Sequence, residues 1–240
     1  MTNQFILCND NISNMPKIGE KAPEFVAQST NGIIHFPDDF SGKWIVFFSH
    51  PADFTPVCTS EFIRFQELIA KFQEMNTELV AMSIGAISSH LGWIRAISEM
   101  DGGANITFPI IADANMSIAR MYGMVHENVS DTSAVRAVFI IDTKGTIRTI
   151  LYYPPILGRN FTEIMRIIVG LQTADTFRVA IPADWVPGED VLKYAPQTTA
   201  DMTKVNKKST RHAWFMQYQE LKAEDIYDKL TGKSRKKNTK

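Results

Sequence analysis

Cysteine is scarce in this chain. Among 240 residues there are only two, Cys8 and Cys58, and no Cys-x-x-Cys pair occurs. Two cysteines are too few for a disulfide framework, and the missing pair excludes a dithiol redox motif. Residues 1–10 also lack the basic start and the long apolar segment of a signal peptide. These absences together predict a reducing, cytoplasmic location.

An excess of charge of either sign is also lacking. The 25 Lys and Arg residues nearly balance the 26 Asp and Glu residues, so there is no electrostatic case for nucleic-acid binding. No apolar run is long enough to span a membrane, so we predict no membrane segment. Four of the five histidines show no metal-ligand spacing, and we predict no metal and no cofactor: His35, His90, His126 and His212.

Apolar patterning predicts strands that alternate with helices. Strands are predicted at 33–36, 44–49, 78–83, 108–111, 137–141 and 146–152, and helices at 58–75, 88–100, 117–122 and 161–173. The second helix would be capped by Ser88 or Ser89, with Leu91, Ile94 and Ile97 on its buried face. The turn 142–145 joins the last two strands as a hairpin. This order indicates an α/β layer architecture.

The character of the chain changes near residue 177. Residues 181–188 are rich in proline and aromatic side chains and suit an extended arm, whereas 212–222 could be helical. Residues 233–240 form a basic tail that we expect to be disordered. We therefore divide the chain into an N-terminal extension (1–15), a main domain (16–176) and a C-terminal arm that serves dimerisation (177–240).

The most informative residue is Cys58, at a junction between a predicted strand and a predicted helix. Thr55 is a good N-cap and Pro56 suits the first helical position, so Cys58 falls in the first turn. Free backbone N–H groups and the helix dipole favour a thiolate there, and such positions lower a cysteine pKa from about 8.5 to roughly 3.5–7.5. The alternative is an inert core cysteine, since free cysteine is among the most buried residue types.

The segment around Cys58 resembles the active site of a known family. The run from His50 to Thr59, His-Pro-Ala-Asp-Phe-Thr-Pro-Val-Cys-Thr, is similar to that of 1-Cys peroxiredoxins, including the pattern Pro-x-x-x-Thr-x-x-Cys. Similarity extends to Gly19-x-x-Ala-Pro-x-Phe, to 135–142 and to 151–159, and covers about 16–175. The resemblance implies a thioredoxin-like fold with peroxiredoxin insertions and a C-terminal extension.

The resemblance also implies roles for individual residues. It makes Cys58 the peroxidatic nucleophile, Thr55 a ligand of the peroxide oxygen and Pro51 a shield for the thiolate. Capping would use only the oxygen of Thr55 and leave its hydroxyl proton free to donate. Arg136 would lie beside the thiolate, although from the residues alone it is a salt-bridged residue at a strand end. Weaker matches give supporting roles to three residues: His50, Glu61 and Arg159.

The resemblance predicts an antioxidant thiol peroxidase. Attack by Cys58 on the O–O bond of hydrogen peroxide or an organic hydroperoxide yields a sulfenic acid. The arm has no cysteine, and Cys8 lies outside the family pattern, so an external thiol, thioredoxin-like or small, would complete a 1-Cys cycle. The expected assembly is a homodimer, with a decamer as the larger ring. Two alternatives remain open: a peroxide-sensing or holdase-type oligomeric protein, and a cysteine hydrolase.

Overall fold

The computed structural model describes residues 15–203 and 210–232. The chain divides into two compact units: the first comprises Met1–Ala70 and Thr77–Arg159, and the second comprises Lys71–Asn76 and Asn160–Lys240. None of the helices in the described ranges is both long enough and apolar enough to cross a membrane. The division at 15/16 and 176/177 that the sequence suggests stays a prediction.

The first unit is built on a mixed sheet. Its described strands are β1 (Phe25–Ser29), β2 (Gly32–Phe36), β3 (Trp44–Ser49), β4 (Thr77–Ser83), β5 (Ile110–Ala112), β6 (Arg136–Ile141) and β7 (Ile147–Tyr153). They lie in the order β2-β1-β5-β4-β3-β6-β7. β3, β4 and β5 are parallel, whereas β6 and β7 run antiparallel as the predicted hairpin. All six residues of β3 are buried, as expected for a central apolar strand.

A helix follows each of the three parallel strands. The described helices of this unit are α1 (Pro56–Glu74), whose last residues belong to the second unit, α2 (Ile87–Glu99) and α3 (Ser117–Met121). α1 buries Phe62, Phe65 and Leu68, which recur at the three- and four-residue spacing of one helix face. It begins at Pro56, the residue that the sequence predicts to suit the first helical position, where no backbone N–H is needed.

The strand directions bring several chain segments to one edge of the sheet. β3 and β4 are parallel, so the loops that follow them leave from the same edge. β6 runs antiparallel to β3, so its first residue, Arg136, lies at that edge too. β7 pairs with β6 through Arg136 and Tyr153, and therefore ends there. Residues far apart in sequence thus meet around the start of α1.

The predicted buried face of α2 is wrong in part. Leu91 is 50% exposed, whereas His90, Trp93 and Ile97 are the buried residues of this helix. The predicted serine cap is also wrong, since the N-cap is Ala86 and it makes no side-chain hydrogen bond. Compared with the prediction, the buried face of the helix is shifted to the side of His90 and Trp93, because both side chains have polar partners inside the unit.

The second unit combines helices with a small sheet. Its described elements are α4 (Phe161–Phe177), β8 (Val191–Leu192), α5 (Thr199–Thr203), β9 (Thr210–Ala213), β10 (Met216–Gln219) and α6 (Ala223–Thr231). The Asn160 side chain accepts a hydrogen bond from the Glu163 N–H and caps α4, whose prediction is confirmed. The basic tail and Cys8 lie outside the described residues.

The predicted helix at 212–222 is wrong. β9 and β10 occupy most of that range, in a sheet of order β8-β10-β9, and the helix α6 begins only at Ala223. Short apolar runs do not distinguish helix from strand by periodicity. Pairing of Tyr218 with Leu192 and of Gln219 with Val191 decides the conformation here.

Candidate active site

Cys58 is the third residue of α1 and is a free, fully buried thiol. The helix starts where the Thr59 N–H donates to the Thr55 carbonyl at 2.9 Å. The sulfur therefore lies in the first helical turn, as the sequence predicts. Burial alone would suit an inert cysteine, so the charged groups around the sulfur decide what it can do.

The Arg136 guanidinium contacts the sulfur directly. Its Nη1 lies 3.3 Å from Cys58 Sγ and donates to Glu61 Oε2 at 2.7 Å. Its Nε and Nη2 both donate to the Pro155 carbonyl, at 3.0 and 2.8 Å. Because the planar fork is held on two sides, the donor that faces the sulfur has a fixed direction.

Glu61 joins Arg136 to a second buried arginine. Arg159 donates to Glu61 Oε1 through its backbone N–H and Nε, at 2.8 and 2.9 Å, and to Oε2 through Nη2 at 2.6 Å. Its Nη1 reaches the carbonyls of Ser49 and Ala137. Its guanidinium also lies 4.9 Å from the centre of the Phe48 ring. Burial lowers the pKa of Arg159 from its ordinary value, although the Glu61 carboxylate opposes that shift.

We call Cys58, Glu61, Arg136 and Arg159 the Glu61 cluster. All four side chains are nearly or fully inaccessible to solvent. Two arginines and one glutamate leave a net charge of +1 on this group, and an uncompensated buried charge is costly. An ionised Cys58 sulfur would supply the missing negative charge. The cluster therefore favours the nucleophilic form of this cysteine.

Pro51 and Thr55 lie in the turn between β3 and α1 and are half-buried. Thr55 differs from the sequence-based expectation of a capping oxygen with a free proton. Its hydroxyl donates that proton to the Ala52 carbonyl at 3.0 Å. The lone pairs of the Thr55 oxygen remain able to accept a hydrogen bond. Within the turn, Phe54 adopts a left-handed backbone conformation, with φ of +55°.

A second buried carboxylate, that of Asp53, lies within this turn. Asp53 Oδ1 is 2.8 Å from His50 Nε2, and its Oδ2 is 2.7 Å from His90 Nδ1 and accepts from Ser89 Oγ at 2.6 Å. We call these four residues the Asp53 cluster. His50 thus hydrogen-bonds to a carboxylate, and its other nitrogen, Nδ1, has no partner in the described part of the chain.

Burial acts on both titratable types in the Asp53 cluster. It lowers the pKa of His50, and the hydrogen bond and negative charge of Asp53 only partly offset that effect. Burial would raise the pKa of Asp53, but hydrogen bonds from His50, His90 and Ser89 outweigh it and hold the pKa well below its usual range. The carboxylate is therefore ionised and the imidazoles are its donors.

The Asp53 cluster also has the residue types of a metal site. One ligand atom each from His50, Asp53 and His90 lie within 4.8 Å of one another. The nitrogen–oxygen separations of 2.7 and 2.8 Å are those of hydrogen bonds, and the nitrogens without partners, His50 Nδ1 and His90 Nε2, are not the ones bonded to Asp53. Hydrogen bonding accounts for this arrangement without a metal.

Sequence reasoning missed Asp53, Ser89 and His90. Asp53 lies three residues after His50, a spacing that could have signalled a loop contact. Ser89 and His90 are 36 and 37 residues from Asp53, and only the parallel pairing of β3 and β4 brings them near it. The residues that the sequence singled out, in contrast, are all placed around the same helix start.

A groove opens beside the same turn. It has a volume of about 540 Å³ and is bounded by Thr55, Thr59 and Ser60 together with apolar side chains: Phe54, Pro56, Ile63, Trp93, Ala96, Ile97 and Met100. Phe54 and Met100 are 60% and 46% exposed. An apolar wall thus adjoins the threonine that precedes the cysteine.

Comparisons with known proteins show which family this chain resembles. Residues 18–150 match the AhpC/TSA family model, and residues 170–204 match the model of the C-terminal domain of 1-Cys peroxiredoxin. A peroxiredoxin of Methanosarcina mazei is 53% identical over 77% of this chain and 86% of its own length. One of Aquifex aeolicus is 48% identical over 78% of this chain and 84% of its own.

Solved structures show the same likeness. A yeast mitochondrial 1-Cys peroxiredoxin, determined for its thiol resolving mechanism via glutathione and thioredoxin systems, superposes with a TM-score of 0.78 and 36% identity, and the match covers 86% of this chain and all of the other. A cysteine-to-serine mutant of peroxiredoxin 6 of Arenicola marina gives 0.75 and 32%, over 85% and 97% of the two chains. These structures have the thioredoxin-like fold that the sequence predicts.

Proposed function

The chain belongs to the AhpC/TSA family and is a peroxiredoxin, a thiol peroxidase, and from this premise we propose that Cys58 reduces hydrogen peroxide and organic hydroperoxides in a 1-Cys cycle. One observation carries the proposal: an arginine held on two sides donates to a buried sulfur at 3.3 Å. The Glu61 cluster supplies a positive field at the atom where a thiolate is required.

The chemical step follows from that field. The Cys58 thiolate attacks one oxygen of the peroxide, the S–O bond forms and the O–O bond breaks. The departing alkoxide or hydroxide takes up a proton and leaves as an alcohol or water, and the sulfur becomes a sulfenic acid. Arg136 stabilises the thiolate and then the negative charge that develops on the leaving oxygen. Glu61 and Arg159 keep Arg136 in place.

Thr55 and Pro51 act on the peroxide side. The Thr55 hydroxyl proton is engaged by the Ala52 carbonyl, so its oxygen is presented as an acceptor for the O–H of the peroxide. Accepting that hydrogen bond aligns the O–O bond with the sulfur. Pro51, with no N–H, closes the turn next to His50 and limits access of water to the thiolate.

The substrate range is supported by the groove next to Thr55. Hydrogen peroxide needs only the polar contacts of Thr55 and Arg136. The apolar walls formed by Phe54, Ile63 and Met100 give an alkyl group a place to lie while its hydroperoxide reaches the sulfur. Burial of that group would favour organic hydroperoxides by about 25 cal/mol per Å² of apolar surface.

An external thiol regenerates the enzyme in this proposal. No cysteine occurs after Cys58, so the C-terminal arm cannot resolve the sulfenic acid. The yeast 1-Cys peroxiredoxin is resolved via glutathione and thioredoxin systems. A thioredoxin-like protein or a small thiol is the matching reductant here. We place the enzyme in the cytoplasm as a homodimer, with a decamer as its larger assembly.

The test compares Cys58→Ser with Cys8→Ser. Peroxide consumption is measured with dithiothreitol and with a thioredoxin system, and we expect turnover to vanish in Cys58→Ser and to persist in Cys8→Ser. Turnover that survives in Cys58→Ser would refute the proposal. A single oxidation event without turnover would instead favour a peroxide sensor.

Mass spectrometry after one equivalent of peroxide tests the 1-Cys cycle separately. We expect a sulfenic acid at Cys58. A Cys8–Cys58 disulfide as the main product would make Cys8 a resolving cysteine and contradict this part of the proposal. Size-exclusion chromatography with light scattering then measures whether the assembly is a dimer or a decamer.

A further inference from the structure

The Asp53 carboxylate ties the active-site turn to helix α2. It accepts hydrogen bonds from His50 at the end of β3 and from Ser89 and His90 in the first turn of α2. We propose that Asp53 is a positioning residue, which holds the turn from Pro51 to Thr55 in the shape that peroxide reduction requires. The inference rests on the proposed function, because it concerns how Thr55 meets the peroxide.

The turn needs such a restraint because its backbone is strained. Phe54, directly after Asp53, has φ of +55°, a region that a bulky residue rarely adopts. Its side chain is 60% exposed, so burial of the ring does not hold the conformation. Strained residues persist only when neighbouring structure fixes them, and they concentrate at functional sites. Asp53 precedes Phe54 and Thr55 follows it, so the strain lies between the restraint and the proposed peroxide ligand.

The hydrogen bonds that Asp53 accepts are charge-assisted and therefore strong. Each one ends on an ionised carboxylate, and hydrogen bonds to a charged group are about twice as strong as neutral ones. His50 and His90 are fully buried, and the His50 ring lies 4.8 and 5.0 Å from the ring centres of Phe62 and Trp93. Both donors are therefore fixed by packing as well as by Asp53.

The α2 side of the Asp53 cluster is equally well defined. Trp93 Nε1 donates to Thr59 Oγ1 at 3.2 Å, which joins α2 to the start of α1. A Cβ at Gly85 would lie only 2.7 Å from Cε1 of His90, so the backbone approaches this ring too closely for any larger residue. The molecule thus offers a way to displace His90 from outside the active-site turn.

The test measures two reactions of Cys58 in each variant. Peroxide oxidation needs an aligned O–O bond, whereas alkylation by iodoacetamide also uses the Cys58 thiolate but has no O–O bond to align. We expect Asp53→Asn, which turns one acceptor oxygen into a donor, to lower the hydrogen peroxide rate constant about 10- to 100-fold, the scale of an ångström-sized misplacement, with a much smaller change in alkylation. Gly85→Ala should produce the same selective loss, and Asp101→Asn, at an exposed position, should change neither rate.

A double-mutant cycle with Thr55→Val decides whether Asp53 acts through Thr55. If it does, Asp53→Asn should cost much less in the Thr55→Val background than in the wild type. Additive losses, or parallel loss of peroxide and iodoacetamide reactivity with a lower melting temperature, would overturn the inference in favour of a purely structural role. A wild type that does not react with peroxide would refute the proposed function instead, so the two failures are distinguishable.

Discussion

Two buried carboxylates lie near Cys58 in the chain, Asp53 within the turn that leads to it and Glu61 three residues after it, and their partners differ in kind. Glu61 is bound by Arg136 and Arg159, which carry permanent charge. Asp53 is bound by two histidines and a serine, none of which carries a permanent charge. The arginines of the Glu61 cluster therefore place positive charge beside the sulfur. In our proposal the hydrogen bonds of the Asp53 cluster fix the conformation of the turn.

This difference also separates how the two clusters respond to pH. Arginine stays protonated at any pH that a protein meets, so the Glu61 cluster keeps its positive charge. Burial lowers the pKa of His50, so acid acts on the Asp53 cluster through a proton that the unfolded chain binds more readily than the folded one. The charge of the Glu61 cluster is therefore independent of pH, whereas the stability that depends on His50 varies with pH.

The largest effect should come from Glu61→Gln, which leaves two arginine charges buried without a carboxylate. Removing one partner of a buried ion pair costs about 3–5 kcal/mol, and we expect the free energy of unfolding in urea to fall by that amount. Glu67→Gln is the matched control, because Glu67 lies on the same helix but is exposed and pairs with exposed Arg64. Its cost should stay below about 1 kcal/mol. Equal losses would show that the Glu61 cluster adds no more than a surface pair.

A second substitution tests geometry against charge in the Glu61 cluster. Arg136→Lys keeps the positive charge but loses the fork that binds the Pro155 carbonyl and Glu61 together. We expect the rate constant for oxidation by hydrogen peroxide to fall about 10²-fold, comparable to the loss of one oxyanion donor. Stopped-flow fluorescence measures it, with Arg95→Lys on the exposed face of α2 as the control. An unchanged rate constant would mean that a positive charge beside the sulfur is sufficient and that the planar geometry of the guanidinium is not required.

The smallest effect concerns the pH dependence of stability. The pKa of His50 is lowered in the folded protein. Below pH of about 6.5 His50 is therefore protonated in the unfolded chain but stays neutral in the folded one until its lower pKa is reached. Stability should therefore fall as the pH drops from 7 to 5, by at most about 1.4 kcal/mol per pH unit for this group. Asp53, whose pKa is also lowered, adds a loss in the same direction below pH of about 4.

The measurement is a set of urea titrations at pH 7, 6 and 5. We expect the free energy of unfolding of His50→Asn to depend less steeply on pH than that of the wild type, since the histidine with the lowered pKa is absent. The same slope in both proteins would show that His50 does not carry this effect, and would weaken the contrast between the two clusters.

Local patterns predicted much of the first unit. The apolar run of β3, the capping pair Thr55 and Pro56 and the three- and four-residue spacing after them are consecutive in the chain, so the strand, the turn and α1 could be predicted together. The same apolar spacing gave a wrong prediction for α2, because it placed Leu91 on the buried face and left the polar His90 off that face. His90 is buried with its Nδ1 hydrogen-bonded to Asp53, and that partner is 37 residues away.

Sequence by itself placed Cys58 in the first turn of a helix and, through the resemblance of residues 50–59 and 135–142, predicted roles for Thr55, Pro51 and Arg136. Only the tertiary structure decided what surrounds those residues. The parallel pairing of β3 with β4 brought Ser89 and His90 to Asp53, and the antiparallel β6 and β7 brought Arg136 and Arg159 to Glu61. Short-range periodicity records which residues are buried, but the partner of a buried charge depends on strand order, and no local pattern contains that information.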